Sequence, residues 1–315
     1  MKLEPVIPFE PMSASQAPAA AQWIHQVKWD GVRMLVYYES GECRLFNRKR
    51  NERTMNYPEL TDVSVYCKAD SVILDGEIIA LAADGKPSFH EVMRRDGVRR
   101  AERIESSRRA VPIAYMVFDV LYLNGEWVTD KPLSERIDLL TSIIIPNQTV
   151  QVVPAYPNGQ ALFDLMKQQG MEGIISKDTS SAYACDRKDQ RWVKVKNYGD
   201  VIAVIGGFTL NGGIVNAVLV GVYDDQQRLH FIGHVGTGKM PRKEWAELTD
   251  TLKPMVIAAM PFCSAHPDMK GAYWVKPQLA VKIQYTEWRY KEGRTLRQPS
   301  IQAFVDVPPQ ECIFR

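Results

Sequence analysis

Residues 26–33 read QVKWDGVR. Lys28 precedes the Asp30–Gly31 pair, and Arg33 follows two residues later. Asp-Gly is a turn signal, so taken alone the stretch is a surface lysine ahead of a tight turn. At average composition a Lys-x-Asp-Gly string arises by chance in roughly one chain in ten or twenty of this length. The ordered series behind it changes the reading: NRKRNERTMNYPEL at 47–60, LDGEI at 74–78, VFDVLY at 117–122, EGIISK at 172–177 and WVKVK at 192–196.

Composition sets the frame. The 315 residues are 45% hydrophobic and 24% charged, enough for two ordinary domains with real cores. No apolar run reaches membrane-spanning length, and the first 23 residues, rich in Pro, Ala and Ser, read as an extended lead-in without the apolar core of a signal peptide. The five cysteines are scattered with no CxxC pair, which argues against a disulfide scaffold or zinc site and fits a reducing cytoplasm. The net charge is only +2, but basic residues cluster locally, with seven arginines against three acids in 94–109 and a second group in 47–53.

Apolar alternation predicts strands at 34–38, 72–81, 113–123, 172–177 and 191–196. Helical spacing predicts helices over 134–144, with Ser134 as N-cap, and over 158–170, stopped by Gly170. This mixture implies an α+β fold with antiparallel sheets. Past Asn197–Asp200 three strands follow in quick succession, then a helix at 241–252 and further strands within 273–290, the element order of an OB-fold β-barrel. The expected domains are 1–198 and 199–315. GHVGTGKM at 233–240 satisfies GxxxxGK, but Met240 stands where a P-loop needs Ser or Thr for Mg²⁺, so it reads as a tight barrel turn.

The motif series resembles the covalent nucleotidyltransferases: ATP-dependent DNA ligases, RNA ligases and mRNA capping enzymes. In its second half YTEWRYKEGRTLRQPSIQAF, 285–304, resembles the bacterial end-joining ligases. The resemblance implies an adenylation domain followed by an OB-fold, with Lys28 as the nucleophile that takes AMP from ATP. A lysine attacking a phosphate must first lose its proton, and Lys194 and Lys196, on one strand face, supply a positive field and hold phosphate oxygens. The resemblance assigns Glu172 to Mg²⁺ (or Mn²⁺) and Glu77 to the ribose or metal region, and both are hard oxygen donors. It places Phe118 on the nucleobase, and Arg33 and Arg48 on ribose or substrate phosphate, with both arginines also expected on DNA. Relatives often carry glutamate where Gln26 stands, to recognise the adenine amino group; a glutamine carbonyl still accepts that bond. Relatives also end in an Arg-x-Asp-Lys element that orients pyrophosphate, and here those positions read VDVP, 305–308. Arg297 is the expected substitute and, like Arg33 and Arg48, is expected on DNA.

The implied activity is ATP-dependent sealing of nicked or broken double-stranded DNA by a monomer, in repair, with a Ku-like end-binding protein as a possible partner. The short stretch before Lys28 implies no N-terminal nicotinamide-binding or large DNA-binding domain. An RNA ligase, a capping enzyme and a non-catalytic nucleic-acid-binding relic are the alternatives.

Overall fold

A computed structural model describes residues 3–236 and 240–314. The chain divides into two units, Met1–Asn197 and Tyr198–Arg315.

The first unit runs through β1 (Glu10–Ser13), β2 (Trp23–Val27), β3 (Val32–Glu39), β4 (Glu42–Asn47), β5 (Val72–Ile79), α1 (Phe89–Asp96) and α2 (Ile104–Ala110). It continues with β6 (Ala114–Leu123), β7 (Glu126–Trp127), α3 (Leu133–Ile143), β8 (Val150–Val152), α4 (Gly159–Gln168), β9 (Gly173–Asp178) and β10 (Lys188–Lys196). Two sheets result, one in the order β1-β10-β9-β2 and one in the order β4-β3-β5-β6-β7, with β8 beside β6. Pairing is antiparallel except for β1–β10 and β6–β8. Strand alternation sorts the larger sheet's residues by face. Met34, Val36, Leu74 and Val117 pack with Val92 and Leu140 in one core. Leu35, Tyr37, Ile73 and Leu121 on the opposite face pack with Phe9, Tyr183 and Trp192 of the facing layer. This second core joins the two sheets and floors the candidate site.

Two local expectations need correction. The lead-in is not merely extended, since residues 10–13 add a parallel strand to β10. Ser134 is not an N-cap: α3 begins at Leu133 after Pro132, with no side-chain cap. The free N–H groups of Leu133 and Ser134 donate instead to the carbonyls of Ser181 (2.9 Å) and Thr179 (3.0 Å), so a distant loop satisfies the helix start. The other helix stops as expected: α4 ends just ahead of Gly170, and the Met171 N–H closes back on the Met166 carbonyl at 2.8 Å.

The second unit comprises β11 (Gly199–Asn211), β12 (Ile214–Tyr223), β13 (Leu229–Gly236), α5 (Arg242–Leu252), β14 (Val256–Ile257), β15 (Tyr273–Val275), β16 (Ala280–Tyr285) and β17 (Ser300–Val305). The long β11 pairs with β16 along its first half and with β12 along its second, bending at an irregularity between Ile205 and Gly207. Strands β11, β12, β13, β17 and β16 form a ring that, among the described residues, closes through the pairing of Gly236 with Ser300. This is the OB-type architecture in its partly open form. Trp245, Leu248 and Leu252 of α5 pack with Val218, Val220, Val281 and Ile301 in its core. The 237–239 part of GHVGTGKM lies outside the described residues.

Candidate active site

Two glycines bring the site's strands together. The Lys28 N–H donates to the Gly173 carbonyl (2.9 Å), extending the β2–β9 pairing one step, so Lys28 shares a face with Gln26. The chain then turns into β3, where a Cβ on Gly31 would lie 2.2 Å from the Ile78 carbonyl oxygen. Any side chain there would push the lysine loop off β5, which carries Glu77 opposite Arg33. Gly173 has φ +131°, and a Cβ there would lie 2.1 Å from the Val195 carbonyl oxygen. That close approach sets Glu172 against the end of β10, and the Asn197 N–H holds the Glu172 carbonyl at 2.9 Å.

The structure joins three of the expected residues directly. Lys28 Nζ lies 2.6 Å from Glu172 Oε2, and Lys196 Nζ lies 3.5 Å from Glu172 Oε1. The Lys28 and Glu172 side chains are 20% and 8% exposed, so the pair is largely enclosed yet reachable from solvent. Lys194, Ile175 and Gln26 form one row across β10, β9 and β2. Burial lowers the Lys194 pKa from its ordinary value, with the charges of Lys196, Lys188 and Lys28 adding to it. Burial pushes the Glu77 carboxyl up to about 8; Lys28 and Arg33 oppose this, while Glu172 and Asp30 reinforce it.

That balance tests the implied divalent ion. Among the described residues no group of three or more His, Cys, Asp or Glu side chains is placed to hold a metal. Glu77 and Glu172, however, lie near enough to repel one another, and a cation between them would relieve both. Two carboxylates with water and substrate phosphates as the remaining ligands suit Mg²⁺, so the residues fit.

Phe118 is half-buried, its ring edge-on to Trp192 at 6.0 Å. Lys177, overlooked in the sequence although it closes the EGIISK stretch, lies under both rings, with Nζ 4.1 Å from the Phe118 centroid and 4.0 Å from that of Trp192. It is 2% exposed, and burial draws its pKa down to about 7 against the pull of Asp119 and Asp75. Arg33 is committed to the framework. Its Nε and Nη2 donate to the two oxygens of buried Asp75 (2.9 and 2.6 Å), and its Nη1 donates to the Phe9 carbonyl (2.6 Å). The Tyr183 hydroxyl donates to the same carboxylate at 2.7 Å.

Arg48 stands on the turn after β4 with its side chain 60% exposed, 3.6 Å from Glu10. Arg297 belongs to the second unit, where its Nη1 lies 3.8 Å from Glu287 Oε2. The 94–109 cluster divides. Arg95 is buried and donates to the Asn56 and Val111 carbonyls, Arg94 pairs with Glu91, and Arg108 and Arg109 share Glu105.

Fold and site define a nucleotidyltransferase domain followed by an OB-type unit. The chain belongs to the ATP-dependent DNA ligase family: residues 11–196 match the ATP dependent DNA ligase domain and residues 211–306 its C terminal region. It is 34% identical over 303 residues to the multifunctional non-homologous end joining protein LigD of Mycobacterium bovis, a match covering 93% of this chain and 38% of that one. It is 36% identical over 188 residues to the SPbeta prophage-derived DNA ligase-like protein LigB of Bacillus subtilis, covering 59% and 66%. The chain thus spans about two fifths of the length of its LigD relatives. Among solved structures, mycobacterial DNA ligase D complexed with ATP and MES is 31% identical with a TM-score of 0.54, each chain covered to 98%. A Lig E DNA ligase, 17% identical with a TM-score of 0.60 and covering 94% of this chain and 99% of that one, shares the fold.

Proposed function

We propose that this chain seals nicked or broken double-stranded DNA at the expense of ATP through a lysyl-AMP at Lys28. The observation that carries this reading is Lys28 Nζ held 2.6 Å from Glu172, with Lys196 on the same carboxylate and Lys194 on the same strand. An ammonium has no lone pair with which to attack, so Lys28 reacts as the neutral amine after passing its proton to water; a divalent ion held by Glu172 and Glu77 would weaken the ion pair that favours the charged form. Lys28 then displaces pyrophosphate from ATP, AMP passes to a DNA 5′-phosphate, and the 3′-hydroxyl expels AMP. Lys194 and Lys196 meet the charge that develops on the α-phosphate. Phe118 takes the base face, and Mg²⁺, when bound by Glu172 and Glu77, offsets phosphate charge; Mn²⁺ suits the same oxygens. Arg48, exposed on the turn after β4, is assigned to the DNA phosphate. Arg33 acts behind it by holding β3 to β5, and Arg297 is assigned to the leaving pyrophosphate in place of the missing terminal cations. The end-joining relatives support a repair role; to this reading we add a monomer, recruited by an end-binding protein of Ku type, at the nucleoid. Among the described residues no helix is long and apolar enough to cross a membrane. Incubation with ATP and Mg²⁺ should add the mass of one AMP to the peptide holding Lys28, and the loaded protein should then seal nicked DNA in preference to nicked RNA. No mass gain, with ATP or GTP, would sink the proposal.

The site also implies a pH dependence. A protonated carboxyl does not ligate a cation, and Glu77 holds its proton up to about 8. Below that value the ionised fraction rises about tenfold per pH unit. The Mg²⁺ concentration for half-maximal AMP loading should therefore fall as pH rises toward 8, by up to about tenfold per unit, and level off above it. Glu77→Gln should flatten this profile. Wild-type half-saturation that is constant between pH 6 and 9 would remove Glu77 from the metal.

A further inference from the structure

The turn between β12 and β13 builds a second group of reactive side chains, in the unit that does not carry Lys28. Asp224 follows β12, and its Oδ1 accepts the N–H groups of Gln226 and Arg228, both at 2.9 Å, which fixes the turn. Its Oδ2 lies 2.8 Å from Nε2 of His230 on β13. An ionised carboxylate only accepts, so Nε2 carries the proton and Nδ1 presents a lone pair. Nδ1 lies 3.4 Å from Sγ of Cys263. The sulfur is kept there by the Cys263 N–H, which donates to the Leu229 carbonyl at 2.9 Å, one residue before His230. The Arg228 N–H and the His230 ring hold the Asp224 carboxyl well below the usual carboxylate range. The Arg228 guanidinium donates to the same Oδ2 at 2.8 Å, and the Phe314 ring meets His230 edge-on at 5.7 Å. His266, three residues beyond Cys263, turns instead to Asp268 and to the Phe231 ring.

The five cysteines differ in kind. Cys263 alone is exposed, while Cys67 and Cys312 are buried and Cys43 and Cys185 partly so. Burial pushes the Cys43 thiol up to about 12 and raises those of Cys67, Cys185 and Cys312. The thiolate is the reacting form, so those four are held in the unreactive one. Cys263 has access to solvent and a base of fixed tautomer beside it.

We propose that Asp224, His230 and Cys263 form a thiol-exchange site, at which Cys263 takes up one half of a low-molecular-weight disulfide. Cys263 Sγ attacks one sulfur of the disulfide as its proton passes to His230 Nδ1, and Asp224 steadies the imidazolium that forms. A new S–S bond forms to Cys263, the old one breaks, and the other half leaves as a thiolate that takes the proton from His230. The Cys263 sulfur is oxidised and the departing sulfur is reduced, so the disulfide is the only oxidant required. The inference does not depend on the ligase reading.

The test treats the folded chain with dithiobis(nitrobenzoate), an aromatic disulfide, and separately with glutathione disulfide, and maps the adducts by mass spectrometry. One thiol should react rapidly, on the peptide that holds Cys263, and Cys263→Ser should abolish that fast phase. His230→Gln should slow it by roughly tenfold at pH 6.5, and the two proteins should converge near pH 10, where hydroxide takes the thiol proton in either. A His230→Gln chain with a loosened fold would expose further thiols and react faster at several of them. In that case Asp224→Asn, which keeps an oxygen for the turn, carries the test and should slow the fast phase about threefold at pH 6.5. Wild-type rates at pH 6.5 in the folded variants would reduce the three residues to a clasp between turn and loop and overturn the proposal. Labelling of any other cysteine ahead of Cys263 would overturn it as well.

Discussion

Lys28→Ala is expected to lose AMP loading altogether, a fall of at least about a thousandfold, because no other amine can replace a covalent nucleophile. Lys196 shares Glu172 with Lys28, but its ammonium lies 3.5 Å from the other oxygen of that carboxylate, on a strand whose backbone is paired on both sides. Sealing of a nick that already carries AMP should survive in part, since in the proposed mechanism that step draws on Lys194, Lys196 and a divalent ion but not on the Lys28 amine. The two activities, measured on the same preparation, separate chemistry from folding. An alanine variant that loads AMP at even a tenth of the wild-type rate would remove Lys28 from its role. One that fails equally on both substrates would make the lysine a structural anchor for Glu172.

Asp119→Ala should cost the first unit about 3–5 kcal/mol, because it strands a buried guanidinium without its counter-charge. Asp119 and Arg136 are both wholly buried and meet in a two-pronged pair, Nε to Oδ1 at 2.8 Å and Nη2 to Oδ2 at 2.9 Å. Arg136 Nη1 also donates to the Lys131 and Ser181 carbonyls, which ties α3 to the loop that satisfies its N-terminus. The double variant Asp119→Leu with Arg136→Met should recover only part of the loss, since it removes the lone charge but takes the side-chain donor from the Lys131 carbonyl and one of two donors from the Ser181 carbonyl. Urea unfolding midpoints of the three proteins measure this. A midpoint for Asp119→Ala within about 1 kcal/mol of wild type would mean that water reaches the guanidinium.

Much of this was legible from residue order. The strands expected over 72–81, 113–123 and 191–196 are found at 72–79, 114–123 and 188–196, because each has one face in a core. Lys28, Glu172 and Lys196 were legible as a group because attack on a phosphate needs an amine, cations and hard oxygens, and the motifs supply them in a recognisable order. What escaped notice depended on partners far away. EPMS at 10–13 has no strand pattern of its own and becomes β1 only by lying along β10. Lys177 reads as an exposed strand lysine, and only the two rings above it show otherwise. Arg33 carries the same fork whether it faces a phosphate or a buried aspartate, and the choice lies with Asp75 on a neighbouring strand. One missed signal was local: Asn124–Gly125, a hairpin pair by composition, joins β6 to β7.

The contacts that build the site also date it within the life of the polypeptide. The ion pair between Lys28 and Glu172 spans 144 positions, the Arg33–Tyr183 contact 150, and the Phe9–Tyr183 bond 174. Closing loops of that length is entropically slow, and nothing local compensates until the far strands arrive. On the ribosome, the proposed nucleophile is therefore made well before the strands that complete its site, and it becomes competent only with them. A nascent chain paused before β9 and β10 have left the exit tunnel holds the reactive lysine without Glu172, Lys194 or Lys196. Such a chain cannot take up a nucleotide prematurely, and maturation of this half of the protein ends with the strand that supplies the charge.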